Sequence, residues 1–256
     1  SHDMRSPLHA IQMAIDELAE DSPTSVGFPS FAAIRHSSAL LELIVSNVLD
    51  TARIERGELM IHERRCSLNP LLESVFSMAK VSAKELAEGG APVKLQFSGH
   101  LPALTCDPAR VMRCTLNAVA NALKFTHEGS ICVAVHLAAS LRSCMLDWED
   151  VALLRRPIDG GTDAVGLSAR GWVHNDVDRL SFSQRLLCVT VSDTGRGMCD
   201  EEVKQCVKPF VHTGKGNAEG TGLGLHVVLA SVIACRGALL IASTPGCGTV
   251  VRMCFR

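Results

Sequence analysis

Near the start of the chain the apolar residues Met4, Leu8, Ile11, Ile15 and Leu18 recur at spacings of four, three, four and three, the signature of one buried helical stripe. His2, Ser6 and His9 fall on the opposite face. Pro7 admits two readings. Either Ser6 caps a helix whose first residue is Pro7, or the helix runs through Pro7, which cannot donate to the carbonyl of Asp3, and bends beside His2. Beyond the turn-rich DSPTSVGFPS at 21–30, a second amphipathic segment carries Leu41, Ile44, Val48 and Ala52. The two helices form a hairpin whose long apolar seam is marginal alone, so self-association into a dimeric four-helix bundle is expected.

After Gly57 the pattern changes. Helices are predicted near 68–87, 108–124 and 222–235, and strands near 93–98, 131–137, 186–192, 238–243 and 249–255. The fold class is α+β: a helical hairpin over 1–62, then an α/β sandwich over 63–256. In RVMRCTLNAVANALKFT the stripe Met112, Leu116, Val119 and Leu123 is expected to face inward, with Asn117, Asn121 and Lys124 on the other face. Residues 138–185 hold both tryptophans, Trp148 and Trp172. Compact domains rarely need so long a connection, so the segment is expected to be an insertion or lid outside the core.

Composition narrows the class. The chain has 256 residues, 47% apolar content and a formal net charge of -2, which argues against a nucleic-acid-binding tail and against an acidic disordered chain. The longest apolar stretch, LHVVLASVIAC at 225–235, contains His226 and is far short of a bilayer span, so no membrane segment is expected, nor a signal or transit peptide. Eleven cysteines lie mostly within apolar runs and form no C-x-x-C pair. They read as small core residues in a cytoplasmic or other reducing compartment rather than as metal ligands.

Three stretches carry candidate chemistry. Asn117 and Asn121 lie one helical turn apart, where solvated faces favour Glu, Lys and Arg; amide oxygens can ligate Mg²⁺, and Lys124 can meet phosphate oxygens. VSDTGRGM at 191–198 ends a strand in a turn, where Asp193 can accept from an exocyclic amine while Gly195 and Gly197 let a flat ring approach the backbone. GTGLGLHVV at 220–228 runs a glycine-rich turn into a helix, whose free N–H groups attract phosphate. It is neither a P-loop nor a dinucleotide fingerprint. A metal-binding helix, an amine acceptor and a phosphate turn together describe an ATP site.

Taken in order, these residues resemble the catalytic core of sensor histidine kinases, with an ATP-binding domain of the kind shared with gyrase and a heat-shock chaperone. SHDMRSPLHAI is similar to the phosphoacceptor box, and HSSALLELIVSNVLDTARIERGELMI to the second dimerisation helix. DPARVMRCTLNAVANALKFT resembles the asparagine box, VSDTGRGM and GTGLGL the glycine boxes, KPFVHT the phenylalanine box, and STPGCGTVVRMCF the closing strand pair. Only 138–185 is uncovered.

The resemblance implies that His2 is the phosphoacceptor, that Asp3 orients or deprotonates its ring, and that Pro7 bends the helix. It implies Asn121, helped by Asn117, at Mg²⁺, Lys124 at the phosphates, and Asp193 at adenine beside Gly195 and Gly197. Gly220, Thr221, Gly222, Leu223, Gly224 and Leu225 form the phosphate turn; Thr249 joins the pocket; and 199–219, with Phe210, form the mobile ATP lid. The implied cofactors are ATP and Mg²⁺. The implied partners are a second copy of the chain and a response-regulator receiver domain. Three departures matter. His2 is the second residue, so the chain reads as a fragment of a larger sensor or hybrid kinase; Ser6 replaces the usual Thr or Asn, which bears on phosphatase activity; and Asn117 stands where related ATPases carry a water-activating Glu. An ATPase or an inactive nucleotide-binding module are the alternative readings.

Overall fold

A computed structural model of the chain describes residues 29–86, 94–140, 143–144, 172–173, 185–211 and 221–256, with backbone alone at 29–40, 78, 80–86 and 172–173. It divides into two compact units, 1–59 and 60–256. The division falls three residues before the predicted 62/63 boundary. The reason is local: Ile61 packs against the core of the second unit, and the His62 N–H donates to Asp107 Oδ2 at 2.8 Å.

In the first unit the described element is helix α1, Pro29–Glu55. Its predicted apolar stripe, a seam expected to lie open in a single chain, is part-exposed, with Ile44 and Ala52 half-buried. Leu41 and Val48 are 48% and 46% exposed, whereas Ser46, Asn47, Asp50 and Thr51 are buried. Along the helix Thr51 Oγ1 donates to the Asn47 carbonyl at 2.8 Å, and Arg53 lies 3.6 Å from the Asp50 carboxylate. The preceding stripe, Met4 to Leu18, lies outside the described residues.

The second unit runs β1 (Arg64–Cys66), α2 (Asn69–Leu86), β2 (Lys94–Ser98), β3 (Leu104–Cys106), α3 (Pro108–Phe125), β4 (Ser130–Ala138), β5 (Trp172–Val173), β6 (Leu186–Asp193), α4 (Asp200–Gln205), α5 (Gly224–Ala234), β7 (Ala238–Thr244) and β8 (Gly248–Phe255). One sheet has the order β2-β4-β6-β8-β7-β5, with β2 and β4 parallel and the other pairs antiparallel; β1 and β3 pair separately. The long predicted elements are present. Those not predicted, β1, β3, β5 and α4, have two to six residues, too few for a hydrophobic period to register.

Strand β6 is central and buried at every residue except Ser192. Because side chains alternate, its Leu187, Val189 and Val191 enter one core and its Leu186 and Cys188 another. The larger core is capped by α2, α3 and α5. Helix α3 buries a wider face than predicted. Val119 of the predicted stripe is buried and Met112, Leu116 and Leu123 pack, partly buried, on the same core, but the row Val111, Cys114, Ala118 and Ala122 is buried too, and Asn117 is 3% exposed rather than solvated. The cause is a helix flanked on two sides, with α2 against one and α5 against another. Asp107 caps it, accepting from Arg110 N at 3.0 Å ahead of Pro108.

The second face of the sheet corrects the expectation for 138–185. It carries an apolar cluster of Ala138, Leu186, Cys188, Ala238, Leu240, Ala242, Val250 and Cys254, and Cys144, from within the insertion, completes it. Buried Arg252 donates to the Cys144 carbonyl at 2.6 Å and to Thr190 Oγ1 at 3.1 Å. Farther along, β5 pairs with β7 at the sheet edge, Trp172 opposite Ile241. At these points the insertion belongs to the fold. Replacing 142–182 with a short Gly/Ser hairpin should therefore destabilise the chain by about 2 kcal/mol or more, since it strips the Arg252 guanidinium of a buried acceptor and opens the cluster. An unchanged urea midpoint would contradict this packing.

No helix among the described residues is long and apolar enough to cross a membrane. All eleven cysteines are free thiols. Burial pushes Cys114, Cys206 and Cys235 up to about 12. In the second cluster, hydrogen bonds from Cys188 and then Cys254 draw Cys144 down to about 4, and the same bonds hold Cys188 and Cys254 up. Raised thiols stabilise the fold below the unfolded pKa near 9, and that stability is lost as pH rises towards the folded value, because the unfolded chain releases protons the folded chain keeps. The urea midpoint should thus rise towards pH 9, where lowered Cys144 is ionised in the folded chain alone, and fall above pH 9 as the raised thiols dominate, each thiol contributing about 1.4 kcal/mol per pH unit. A midpoint that has not fallen by pH 10.5 would contradict the burial.

Candidate functional site

Asp193 is the last residue of β6 and is buried. Its Oδ1 accepts from Gly195 N at 2.8 Å and from Thr249 N, its cross-strand neighbour on β8, at 3.2 Å. The turn that follows is pressed against the end of α3. Arg196 N donates to the Phe125 carbonyl at 3.2 Å, and a Cβ on Gly195 would lie 2.3 Å from that oxygen. Gly197 has φ +66°, and a Cβ there would lie 1.9 Å from the Thr244 carbonyl. Ser243 ties the far side together, accepting from Met198 N at 2.8 Å, donating to the Gly248 carbonyl at 3.0 Å and lying 2.9 Å from Thr249 Oγ1.

The asparagines come in from α3. Asn117 Nδ2 donates to the Arg113 carbonyl one turn back at 3.0 Å, which orients the amide. A Cβ on Gly224, the first residue of α5, would lie 3.1 Å from Asn117 Oδ1 and 3.8 Å from Asn121 Nδ2. Both amides therefore stand against the start of the helix that the glycine-rich turn leads into. Lys124 Nζ and Arg196 Cζ lie 5.0 Å and 4.9 Å from the centroid of one ring, Phe125. That gathers two cations beside the Asp193 turn.

The glycine turn is fixed from the lid side. Phe210 N donates to the Gly222 carbonyl at 3.1 Å; Gly222 has φ +67°, and a Cβ on it would sit 2.8 Å from the Phe210 carbonyl carbon. Phe210 itself has φ +61° and is 66% exposed, a strained and outward-facing aromatic. Leu223 N donates to Thr221 Oγ1 at 3.4 Å, Leu223 is buried, and Leu225 packs against the larger core, so these leucines anchor the turn by packing. His226 Nδ1 lies 3.2 Å from the Val207 carbonyl, a second tie between α5 and the segment leading to the lid.

The structure thus brings together Asn117, Asn121, Lys124, Asp193, Gly195, Gly197, Thr249 and the Thr221–Leu225 turn at one end of the central strands. His2, Asp3, Ser6 and Gly220 lie outside the described residues. Sequence reasoning missed Phe125, Arg196 and Ser243, which join the pieces. Arg196 stood within VSDTGRGM, but nothing local to it pointed to Phe125. Two amide side chains, one with its oxygen held toward the turn, suit a hard cation that prefers oxygen ligands and brings phosphate and water for the rest.

Comparison with known proteins identifies the family. The family described as "His Kinase A (phospho-acceptor) domain" matches residues 1–57, and that described as "Histidine kinase-, DNA gyrase B-, and HSP90-like ATPase" matches 161–256, together more than half of the chain. The chain belongs to the histidine kinase family. Among its relatives are "Cell-division control histidine kinase PdhS" of Brucella anthropi, 27% identical over 100% of this chain and 21% of its own length. "Probable histidine kinase 3" of Oryza sativa subsp. japonica is 24% identical over 97% of this chain and 25% of its own. The chain thus spans about a quarter of the length of the kinases it matches. Full-length ShkA, solved with AMPPNP, has the same fold, with a TM-score of 0.56 at 22% identity over 99% of this chain and 44% of that one. The asparagines precede the matched ATPase residues, and it is their packing on Gly224 that joins them to the glycine-rich turn within that match.

Gly195 has an ordinary φ, so its need for glycine is steric alone. Gly195→Ala in this histidine kinase should cost roughly 2–3 kcal/mol in urea unfolding, because the methyl meets the Phe125 carbonyl, a backbone atom that cannot step aside. A cost below about 0.5 kcal/mol would show that the turn does not stand against α3.

Proposed function

We propose that the chain is the catalytic core of a two-component protein-histidine kinase, which moves the γ-phosphoryl group of ATP to its own His2. The observation that carries this reading is the meeting of the Asn117 and Asn121 amides with the start of α5, alongside Asp193 at the end of β6. In this reading residues 1–62 supply dimerisation and histidine phosphotransfer, and 63–256 bind ATP, with an insertion at about 138–185.

Asp193 accepts the exocyclic amine of adenine, and the Gly195 and Gly197 backbone admits the flat ring. Thr249 closes that end of the pocket through its tie to Ser243. The N–H groups of the Thr221–Leu225 turn and the dipole of α5 receive the phosphates, with Gly220 ahead of them, and Lys124 adds a cation. Asn121, helped by Asn117, holds Mg²⁺, which supplies charge neutralisation at the phosphate oxygens. Phe210 and the lid around it exclude water.

Neutral imidazole has a pKa near 6.5 and is nucleophilic at pH 7. A His2 ring nitrogen attacks the γ-phosphorus roughly in line; an N–P bond forms as the P–O bond to ADP breaks, and Asp3 orients the ring or takes its proton. Asn117 makes hydrolysis the weaker reading. An amide whose Nδ2 already donates to Arg113 cannot take a proton from water as a Glu would.

The phosphoryl group then passes to an aspartate on a response-regulator receiver domain. A second copy of the chain covers the half-exposed Leu41 and Val48 of α1, completing a four-helix bundle. Free thiols throughout suit a reducing compartment.

Labelled ATP with Mg²⁺ should place acid-labile, alkali-stable label on the chain. His2→Gln should abolish it with ATP affinity near normal, whereas Asp193→Asn should weaken ATP binding and blunt discrimination against GTP, which presents a carbonyl where adenine presents an amine. Label retained by His2→Gln would remove His2 as the acceptor.

A further inference from the structure

Three sulfurs that the nucleotide chemistry does not use meet behind the sheet. Cys188 on β6 and Cys254 on β8 are cross-strand neighbours, their sulfurs 3.6 Å apart, and Cys144 lies over them with its sulfur 3.0 Å from that of Cys188. All three sulfurs lie within 4.8 Å of one another, and each residue is 0% exposed. The position of Cys144 is built, not incidental. Its N–H donates to the Ser140 carbonyl at 3.2 Å, Ser143 N donates to Ser140 Oγ at 3.1 Å, and the Cys144 carbonyl accepts from buried Arg252.

We propose that Cys144, Cys188 and Cys254 form a binding site for one Cu⁺ ion, which clamps the inserted segment to the back of the catalytic sheet. Soft thiolate ligands select soft ions, Cu⁺ and Zn²⁺ foremost. Metal–sulfur bonds of roughly 2.3 Å place three sulfurs in a plane about 4 Å apart, so the present sulfurs, two pairs of which are 3.0 Å and 3.6 Å apart, need to spread by only about 1 Å or less to take the ion. Structural Zn²⁺ almost always takes four protein ligands, and among the described residues no fourth Cys, His or carboxylate joins this group, so three-coordinate Cu⁺ fits better. The Arg252 guanidinium at the Cys144 carbonyl offsets the excess negative charge of three thiolates around a monovalent ion.

Binding is ligand exchange without electron transfer. Each Cu–S bond replaces an S–H bond or an existing thiolate pair, and any protons leave to solvent. The pair Cys66 and Cys106, whose sulfurs lie 3.7 Å apart elsewhere in the unit, offers two thiols and serves as a control.

The test titrates the full chain anaerobically with Cu⁺ against a chromophoric Cu⁺ chelator, and separately with Zn²⁺, and follows thermal unfolding with and without each ion. One Cu⁺ per chain is expected, with a rise in the unfolding temperature. Cys188→Ser and Cys254→Ser should each weaken Cu⁺ binding about a hundredfold or more, and Cys66→Ser should leave it unchanged. Cys188→Ala and Cys254→Ala, checked for folding by circular dichroism, guard against loss of binding through a buried hydroxyl. Loss of Cu⁺ uptake in Cys66→Ser, uptake by folded Cys188→Ala at wild-type affinity, or tight binding of Zn²⁺ but not Cu⁺ would each overturn the proposal.

Discussion

The carboxylate of Asp193 accepts two backbone N–H groups through a single oxygen, Gly195 at 2.8 Å and Thr249 at 3.2 Å, and so joins the end of the central strand to the turn after it and to the neighbouring strand. Everything that lines the candidate site is placed by what this junction allows. With the turn held there, the Phe125 carbonyl approaches so closely that residue 195 has no room for a side chain, and the end of α3 is brought against the end of the central strand. Helix α3 in turn sets the asparagines, and the asparagines leave no slack at Gly224. The pocket is a chain of close backbone approaches, each licensed by a missing Cβ.

That arrangement explains why the chemistry and the packing use different residues of the same short motifs. In the Thr221–Leu225 turn, Gly222 and Gly224 face the lid and the asparagines, while Leu223 and Leu225 go into the core. In VSDTGRGM, Asp193 and the glycines shape the junction, while Arg196 reaches to the Phe125 ring that Lys124 also meets and pairs with Glu202 at 3.6 Å. A motif of this kind tolerates little change because neighbouring positions answer to separate constraints.

The sheet is covered on its second face as well, which a two-layer α/β unit does not require. The small residues there, Ala138, Ala238 and Ala242 with Cys188 and Cys254, leave space close to the strands, and the turn bearing Cys144 occupies it. Buried Arg252 is tolerable because Thr190 and the Cys144 carbonyl both accept from it. The helix-covered face and the thiol face thus share β6 and β8, whose alternating side chains serve one on each side.

Read alone, the sequence determined the long elements, their order and the motif residues, because helix and strand periods and glycine-rich turns are local properties that survive without partners. The family followed from the order of those motifs. Only the tertiary structure decided how wide a face of α3 is buried, since that depends on α2 and α5 flanking it together; the pattern of Met112, Leu116 and Leu123 named one flank and left Asn117 on the wrong side. It also decided that part of 138–185 packs on the sheet, and that Cys144, Cys188 and Cys254 converge. Their separations along the chain are 44 and 66 residues, and a contact at that range leaves no trace in spacing because it is made by the pairing of strands rather than by the run of the chain.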